Sequence, residues 1–345
     1  MKPFSRLLCI SAALLALNAS AAAETPAQQA RQQWHQEILT GYEHLAEQAG
    51  AFADAAGSWC SSPSEQGRTT TEKAWREAFM AWQAVRFVNF GPIETDNRSW
   101  QFQFWPDPKN LIARKARYLL SSDEPATAGT IDDSGVAVQG FPMAEYLLFD
   151  QPFNQGERAL PAGRSCDLLV LVAGHIRDTA DQQLRDWQAF RAPYLANDQY
   201  HDTTIKAGMT ALEVLEERRL AQPMGLRGNG KRSVYAADAW RSGTSLATLE
   251  ATVRGLKQHF LPGLTLLLEN GNQPELAPRI RSQFDEVLEN FPDMDKPMAP
   301  LLAEDGHYSE LQGLFVDVSQ LTTLVNDQAA VALGVVRGFN SSDGD

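Results

Sequence analysis

The chain has 345 residues, with 43 acidic against 30 basic side chains, six histidines and a formal net charge of −13. That length can bury a large core without help from metal ions or many disulfides. The acidity argues against a nucleic-acid-binding face and against electrostatic attachment to anionic lipid.

In chain order, Lys2 and Arg6 flank the start of an apolar run from Leu7 to Leu17, and small residues from Asn18 to Ala23 lead to Glu24. This pattern predicts a cleavable secretory signal over residues 1–23, because the run is too short to span a bilayer. No later segment reads as a transmembrane helix, so the expected location is the periplasm. Loss of Cys9 with the leader leaves Cys60 and Cys166. Two cysteines in an oxidising compartment predict one disulfide joining distant helices. Neither lies in a Cys-x-x-Cys or haem-attachment pattern, which disfavours a thiol catalyst or a cysteine zinc site.

Helical periodicity dominates the chain beyond the leader. From residue 26 to about 57, Trp34, Ile38, Tyr42, Leu45, Ala49 and Phe52 recur at three- and four-residue spacing, one apolar stripe. A polar stretch over 61–70 includes Pro63 and Gly67, and Thr69 with Glu72 matches a capping box. The next helix carries Trp75, Phe79, Trp82, Val85, Arg86 and Phe87 and stops near Gly91 and Pro92. From Gly91 to Pro108 the pattern is not helical: Trp100, Phe102 and Phe104 alternate with polar residues, which predicts a short extended piece. A helix is expected from Lys109 to Leu120, then a loop, then another helix from about Met143 behind Gly140, Phe141 and Pro142.

Long helices fit 164–192 and 198–221, followed by a Gly-rich loop from Gln222 to Lys231 and helices at 244–269, 275–290 and 308–335. No series of strand and hairpin signals interrupts them, so the class is all-α. Pro193 and the pair Asn197 and Asp198 divide the chain into two bundle-like halves, 24–195 and 196–345.

Several motifs are readily set aside. Gly225, Gly230 and Lys231 have phosphate-loop spacing, but Arg232 stands where Ser or Thr must reach magnesium, and a helix precedes instead of a strand. The histidines are scattered, with no pair spaced to bind a metal on one helical face. Three segments look less like scaffold. Arg86 to Glu94 ends a helix in a tight turn that presents a carboxylate. Gly140 to Phe149 sets Glu145 in the first turns of an otherwise apolar helix, where burial would demand a partner such as Arg86. Arg232 to Gly243 mixes polar and aromatic residues, including Trp240, Arg241 and Ser242.

These segments carry a resemblance. Trp75 to Glu94 (WREAFMAWQAVRFVNFGPIE) resembles the imelysin pattern of a Trp-rich helix ending in Phe-x-x-Gly-Pro-Ile. Gly140 to Phe149 (GFPMAEYLLF) is similar to that family's central Gly-x-His-x-x-Glu-Tyr-Leu-Leu motif. Leu333 to Asp345 (LGVVRGFNSSDGD) resembles its terminal Gly-Phe-Asn-x-x-Asp-Gly-Asp. The motifs stand in the family's order and span nearly the whole chain after the leader.

The resemblance implies two helical-bundle domains packed around an interdomain cleft, in an exported protein linked to iron acquisition. The family has been called a peptidase family, with the motif His and Glu as supposed metal ligands. Here Pro142 stands where the motif has His, and proline offers neither an imidazole nor an N–H. The usual His-Glu centre is therefore not encoded. Glu145 and Glu94 remain as metal ligands, with Asp343 and Asp345 as helpers, an all-oxygen set suited to a hard cation such as ferric iron.

The expectation is a periplasmic binding protein for an iron species or a small-molecule ligand, without peptidase activity. Glu145 and Glu94 line the cleft, Arg86 and Arg232 balance charge or hold an anionic ligand, and Trp240, Arg241, Ser242 and Gly243 form the facing wall. One alternative is a metal-dependent peptidase that takes a nitrogen ligand from His175 or His201. Another is a partner-binding module serving an envelope redox or transport protein, with an exposed aromatic patch at Trp100, Phe102 and Trp105.

Overall fold

The stripe near the N-terminus folds as one long helix, α1 (Pro26–Ser61). The Thr25 hydroxyl accepts from the Gln28 N–H at 3.2 Å, and the Thr25 N–H donates to the Gln28 side chain at 2.9 Å, a reciprocal cap that closes two open backbone donors. Trp34, Ile38, Tyr42, Leu45, Ala49 and Phe52 are wholly buried, each large side chain contributing about 1.5–3 kcal/mol through burial. The computed structural model describes residues 24–291, 297–303 and 305–335. The expected leader and the carboxylates Asp343 and Asp345 lie outside the described residues.

Helix α2 (Glu65–Val85) begins earlier than its apparent capping box. Ser64 is the cap and accepts from the Gly67 N–H at 3.0 Å, while the Thr69 hydroxyl turns back to the Glu65 carbonyl at 3.2 Å. A hydroxyl acts as a cap only where the backbone N–H groups ahead of it are still open, and by Thr69 they are not. The expected extended piece is also corrected. Gly91–Asn97 forms a 3₁₀ turn and Arg98–Phe102 a short helix. Packing overrides the alternation there: Phe102 is fully buried, and its carbonyl and that of Gln101 lie so close to Gly140 that a Cβ would collide with them.

The remaining longer helices are α3 (Leu111–Ser121), α4 (Phe141–Phe149), α5 (Gly163–Ala189), α6 (Gln199–Glu213), α7 (Ser245–Gly255), α8 (Leu276–Glu289) and α9 (Asp305–Thr322). Helix α6 continues through a π-helical stretch, Val214–Ala221, and α7 through another, Leu256–Phe260, into Leu261–Glu269. The described residues contain no strand, and none of their helices is long and apolar enough to cross a membrane.

Helix α1 packs against α2 and α5 and against the continuation of α7, while α7 itself lies on α2, and α8 pairs with α9. The buried apolar side chains form one cluster running from Ala30 to Val335. Cys60 and Cys166 form the expected disulfide, which ties the end of α1 to the start of α5 across 106 residues of sequence, with a Cα–Cα separation of 5.4 Å. Closing a loop of that size stabilises the fold by about 2–4 kcal/mol through the unfolded chain.

Helix α4 sets the site. Pro142 sits in its first turn, where a missing N–H costs no helical bond. The Trp75 indole anchors the start of the helix by donating to the Phe141 carbonyl at 3.2 Å. Phe141, Met143, Ala144, Tyr146, Leu147 and Leu148 are buried around it, so the helix has no solvent face and carries Glu145 inside.

Candidate functional site

Across from α4 lies the loop that joins α6 to α7. Ala239 takes a left-handed φ of 51° and Gly243 one of 71°, so the chain doubles back on itself between them. The Thr244 N–H closes this turn on the Ala239 carbonyl at 3.2 Å. The turn points the Ser242 N–H and hydroxyl at the same oxygen, Glu145 Oε1, at 2.8 and 2.9 Å. Glu145 Oε2 accepts no hydrogen bond among the described residues, although the side chain is only 3% exposed. Burial pushes the Glu145 carboxyl above its usual range, opposed by the Ser242 N–H and by the charge of Arg241.

Glu145 lines a pocket of about 310 Å³. One wall comes from Phe79, Gln103, Phe104, Trp105 and Pro142, and the other from Tyr235, Asp238, Trp240 and Arg241. Tyr235 meets Trp240 edge-on at 4.8 Å, and the Arg241 guanidinium lies 4.3 Å from the Trp240 ring centre. Arg241 is itself committed, donating to Asp150 at 3.0 Å and to Asn110 at 3.0 Å.

Asp238, also buried, is the second carboxylate on the wall. Its Oδ2 accepts from Arg219 at 2.9 Å, from Gln103 at 3.2 Å and from Arg86 at 3.5 Å, and its Oδ1 accepts from Thr248 at 3.0 Å. Gln83 accepts from both guanidinium groups, at 3.1 Å for Arg86 and 3.0 Å for Arg219, and donates to Gln103 at 2.9 Å. Trp82 donates to the same Gln103 oxygen at 3.0 Å. Burial lowers the affinity of both guanidinium groups for their protons, and Asp238 counters this in each.

The structure therefore gathers some of the expected site residues and separates others. Glu145, Trp240, Arg241 and Ser242 come together, and Gly243 forms the turn beside them. Arg86 pairs with Asp238 rather than with Glu145, whose bonded oxygen is held by Ser242. Glu94 is exposed on the 3₁₀ turn, where it accepts from the Gly91 N–H at 2.8 Å, and it lies outside the pocket lining. Arg232 lies over the Tyr308 ring at 3.6 Å and donates to the Leu302 carbonyl at 3.3 Å, also outside that lining. His175 pairs with Asp132 and His201 with Asp202, and neither lines the pocket. Of the expected aromatic patch, Trp100 is exposed and Trp105 lines the pocket, but Phe102 is buried in the core.

A metal centre fits these residues poorly. The Pro142 side chain has no ligating atom, Glu94 is elsewhere, and among the described residues no three His, Cys, Asp or Glu side chains converge. Sequence reasoning missed Asp238, Arg219, Gln83 and Gln103. Asp238 lay within a segment already singled out, but Arg219, beside Glu216, Glu217 and Arg218, reads as part of a solvated helix face. In the structure it falls on the buried face of the helix, seven residues beyond Leu212 and four beyond Leu215.

Comparison with known proteins gives a family model described as Imelysin that matches residues 38–325. Among solved structures, an imelysin-like protein from Psychrobacter arcticum 273-4 superposes with a TM-score of 0.79 at 19% identity, over 91% of this chain and 97% of that one. A structure described as a "putative iron-regulated protein A precursor" from Parabacteroides distasonis ATCC 8503 superposes with a TM-score of 0.68 at 17% identity, over 89% and 96% of the two chains. At these identities the likeness is one of fold. A search of curated proteins finds no match.

Proposed function

The chain belongs to the imelysin family, and on that premise we propose that the pocket around Glu145 is the ligand site of an exported protein that binds an iron species or small molecule in iron handling, without acting as a peptidase. The observation that carries this reading is the half-bonded carboxylate. Ser242 holds one oxygen of Glu145, and the other is uncommitted beside a pocket walled by both halves of the sequence. A carboxylate oxygen without a protein partner on a pocket wall is open to a ligand that donates to it.

Pro142 supports the non-peptidase part, since it lines the pocket at the position where the family motif has its supposed metal-binding His. Iron enters through the family and through the iron-regulated description of one structural neighbour. Export rests on the leader pattern and accords with the Cys60–Cys166 disulfide. The two-bundle division near residues 195 and 196 would make this an interdomain cleft, and a redox or transport protein of the envelope would be the partner that receives or delivers the ligand.

Equilibrium dialysis of the purified protein against ferric citrate, ferrous iron and haem tests the reading, with Glu145→Ala alongside. One equivalent bound to the parent and lost in the variant is expected, with no cleavage of peptides when iron, zinc or manganese is added. Equal binding by both proteins would remove the site from Glu145. Peptide cleavage that disappears in Glu145→Ala would restore the peptidase reading.

A further inference from the structure

The bonding of this pocket limits what can complete it. A hard metal ion needs about six oxygen ligands, and Glu145 has one oxygen to spare. The other acids nearby are already answered. Asp238 is bonded by Arg219, Arg86, Gln103 and Thr248, and Asp107 caps α3 by accepting from the Leu111 and Ile112 N–H groups at 2.7 and 2.9 Å. The cation on the wall, Arg241, is matched by Asp150. Among the described residues, Glu145 is thus the lining carboxylate left with an oxygen to offer a ligand.

Around it the surfaces are aromatic. Phe104 and Trp105 are half-buried on one side, and Tyr235, 72% exposed, stands on the other. The face of Trp240 is already taken by Arg241, which shows that this corner of the molecule accommodates a delocalised cation on an aromatic ring. The volume of about 310 Å³ is at the small end for ligand pockets, the size of a compact organic molecule.

We propose that the pocket takes a small organic cation, with an ammonium or guanidinium head donating to Glu145 Oε2 and an apolar body lying against Phe104, Trp105 and Tyr235. An ammonium brings three donors and needs only a few acceptors, so it suits one free carboxylate oxygen with aromatic walls where a bare metal ion would lack ligands. This inference rests on the reading of the pocket as a binding site and is independent of the role in iron handling.

Calorimetric titration with tryptamine, tryptophol and indole-3-acetate tests it, since the three share a body and differ in the charge of the head. Tryptamine is expected to bind at least tenfold more tightly than tryptophol, and indole-3-acetate more weakly than either. Glu145→Gln should erase the preference for the amine over tryptophol. Tyr235→Ala, at the exposed rim, should weaken tryptamine and tryptophol together and provides a second test should Glu145→Gln fail to fold. Equal affinity for the three probes, a preference for the amine that survives Glu145→Gln, or indifference to Tyr235→Ala would overturn the proposal. Ferric citrate titrated in parallel separates the two readings. Glu145-dependent iron binding without amine selectivity would sink this inference and keep iron handling, and amine selectivity without iron binding would do the reverse.

Discussion

Asp238 and Glu145 stand on the walls of one pocket, 2% and 3% exposed, yet one is bonded on every side and the other on a single oxygen. Asp238 joins α2, α6 and α7 through Arg86, Arg219, Gln103 and Thr248, so its charge is consumed by the scaffold. Glu145 is held only by Ser242, and its second oxygen is uncommitted. Burial therefore does not distinguish the two acids, because both have it. Unfilled hydrogen-bonding capacity is what sets the proposed site apart from the scaffold.

The contrast is most exposed to challenge through Asp238→Ala. Removing this carboxylate strands the Arg219 guanidinium in the interior, and we expect a loss of about 3–5 kcal/mol in urea unfolding. Glu145→Ala strands no cation and should cost clearly less; equal losses would collapse the distinction between the two acids. A finer cut compares the two arginines. Arg219 is 1% exposed and 2.9 Å from Asp238, whereas Arg86 is 19% exposed at 3.5 Å. Arg219→Ala should cost about 3 kcal/mol and Arg86→Ala about 1 kcal/mol. The reverse order would make Arg86 the principal counter-ion.

The smallest effect, a pH dependence, sharpens the comparison from the side of Glu145. Burial raises its carboxyl above the ordinary 4.5, so the folded state holds this proton more tightly than the unfolded chain does. The stability from this group is fully present below pH 4.5 and is lost as pH rises through the raised folded value. Glu145→Gln has no proton to release and escapes that loss. Unfolding midpoints should therefore differ least at acid pH and move in favour of the variant as pH rises. A difference constant from acid to mildly alkaline pH would show that the Glu145 carboxyl is not held above its usual range.

Much of the fold was legible because a helix repeats locally. The stripe from Trp34 to Phe52 needs no knowledge of its partners to announce a helix, and Pro142 behind Gly140 marks the start of α4 in the same way. The stretch from Gly91 to Pro108 misled because alternating aromatics signal a strand only where a sheet exists to receive them. Here Phe102 is drawn under Gly140 instead. At the pocket, the burial of Glu145 could be read from an acid in an apolar helix, and the Trp240 to Ser242 segment stood out by its mixed composition and the family resemblance. The pairing could not: Arg86 pairs with Asp238 rather than Glu145, and Glu94 and Arg232 lie outside the pocket lining.

By itself the amino-acid sequence determined the helical class, the disulfide pair and the acid that would be carried inside, since each depends on near neighbours or on a count of residues. Only the tertiary structure decided which acid is spent. Ser242 reaches Glu145 across 97 residues and Arg219 reaches Gln83 across 136. Hydrogen bonds depend on distances of a few tenths of an ångström and on direction, and those are set by how whole helices pack, not by any spacing along the chain.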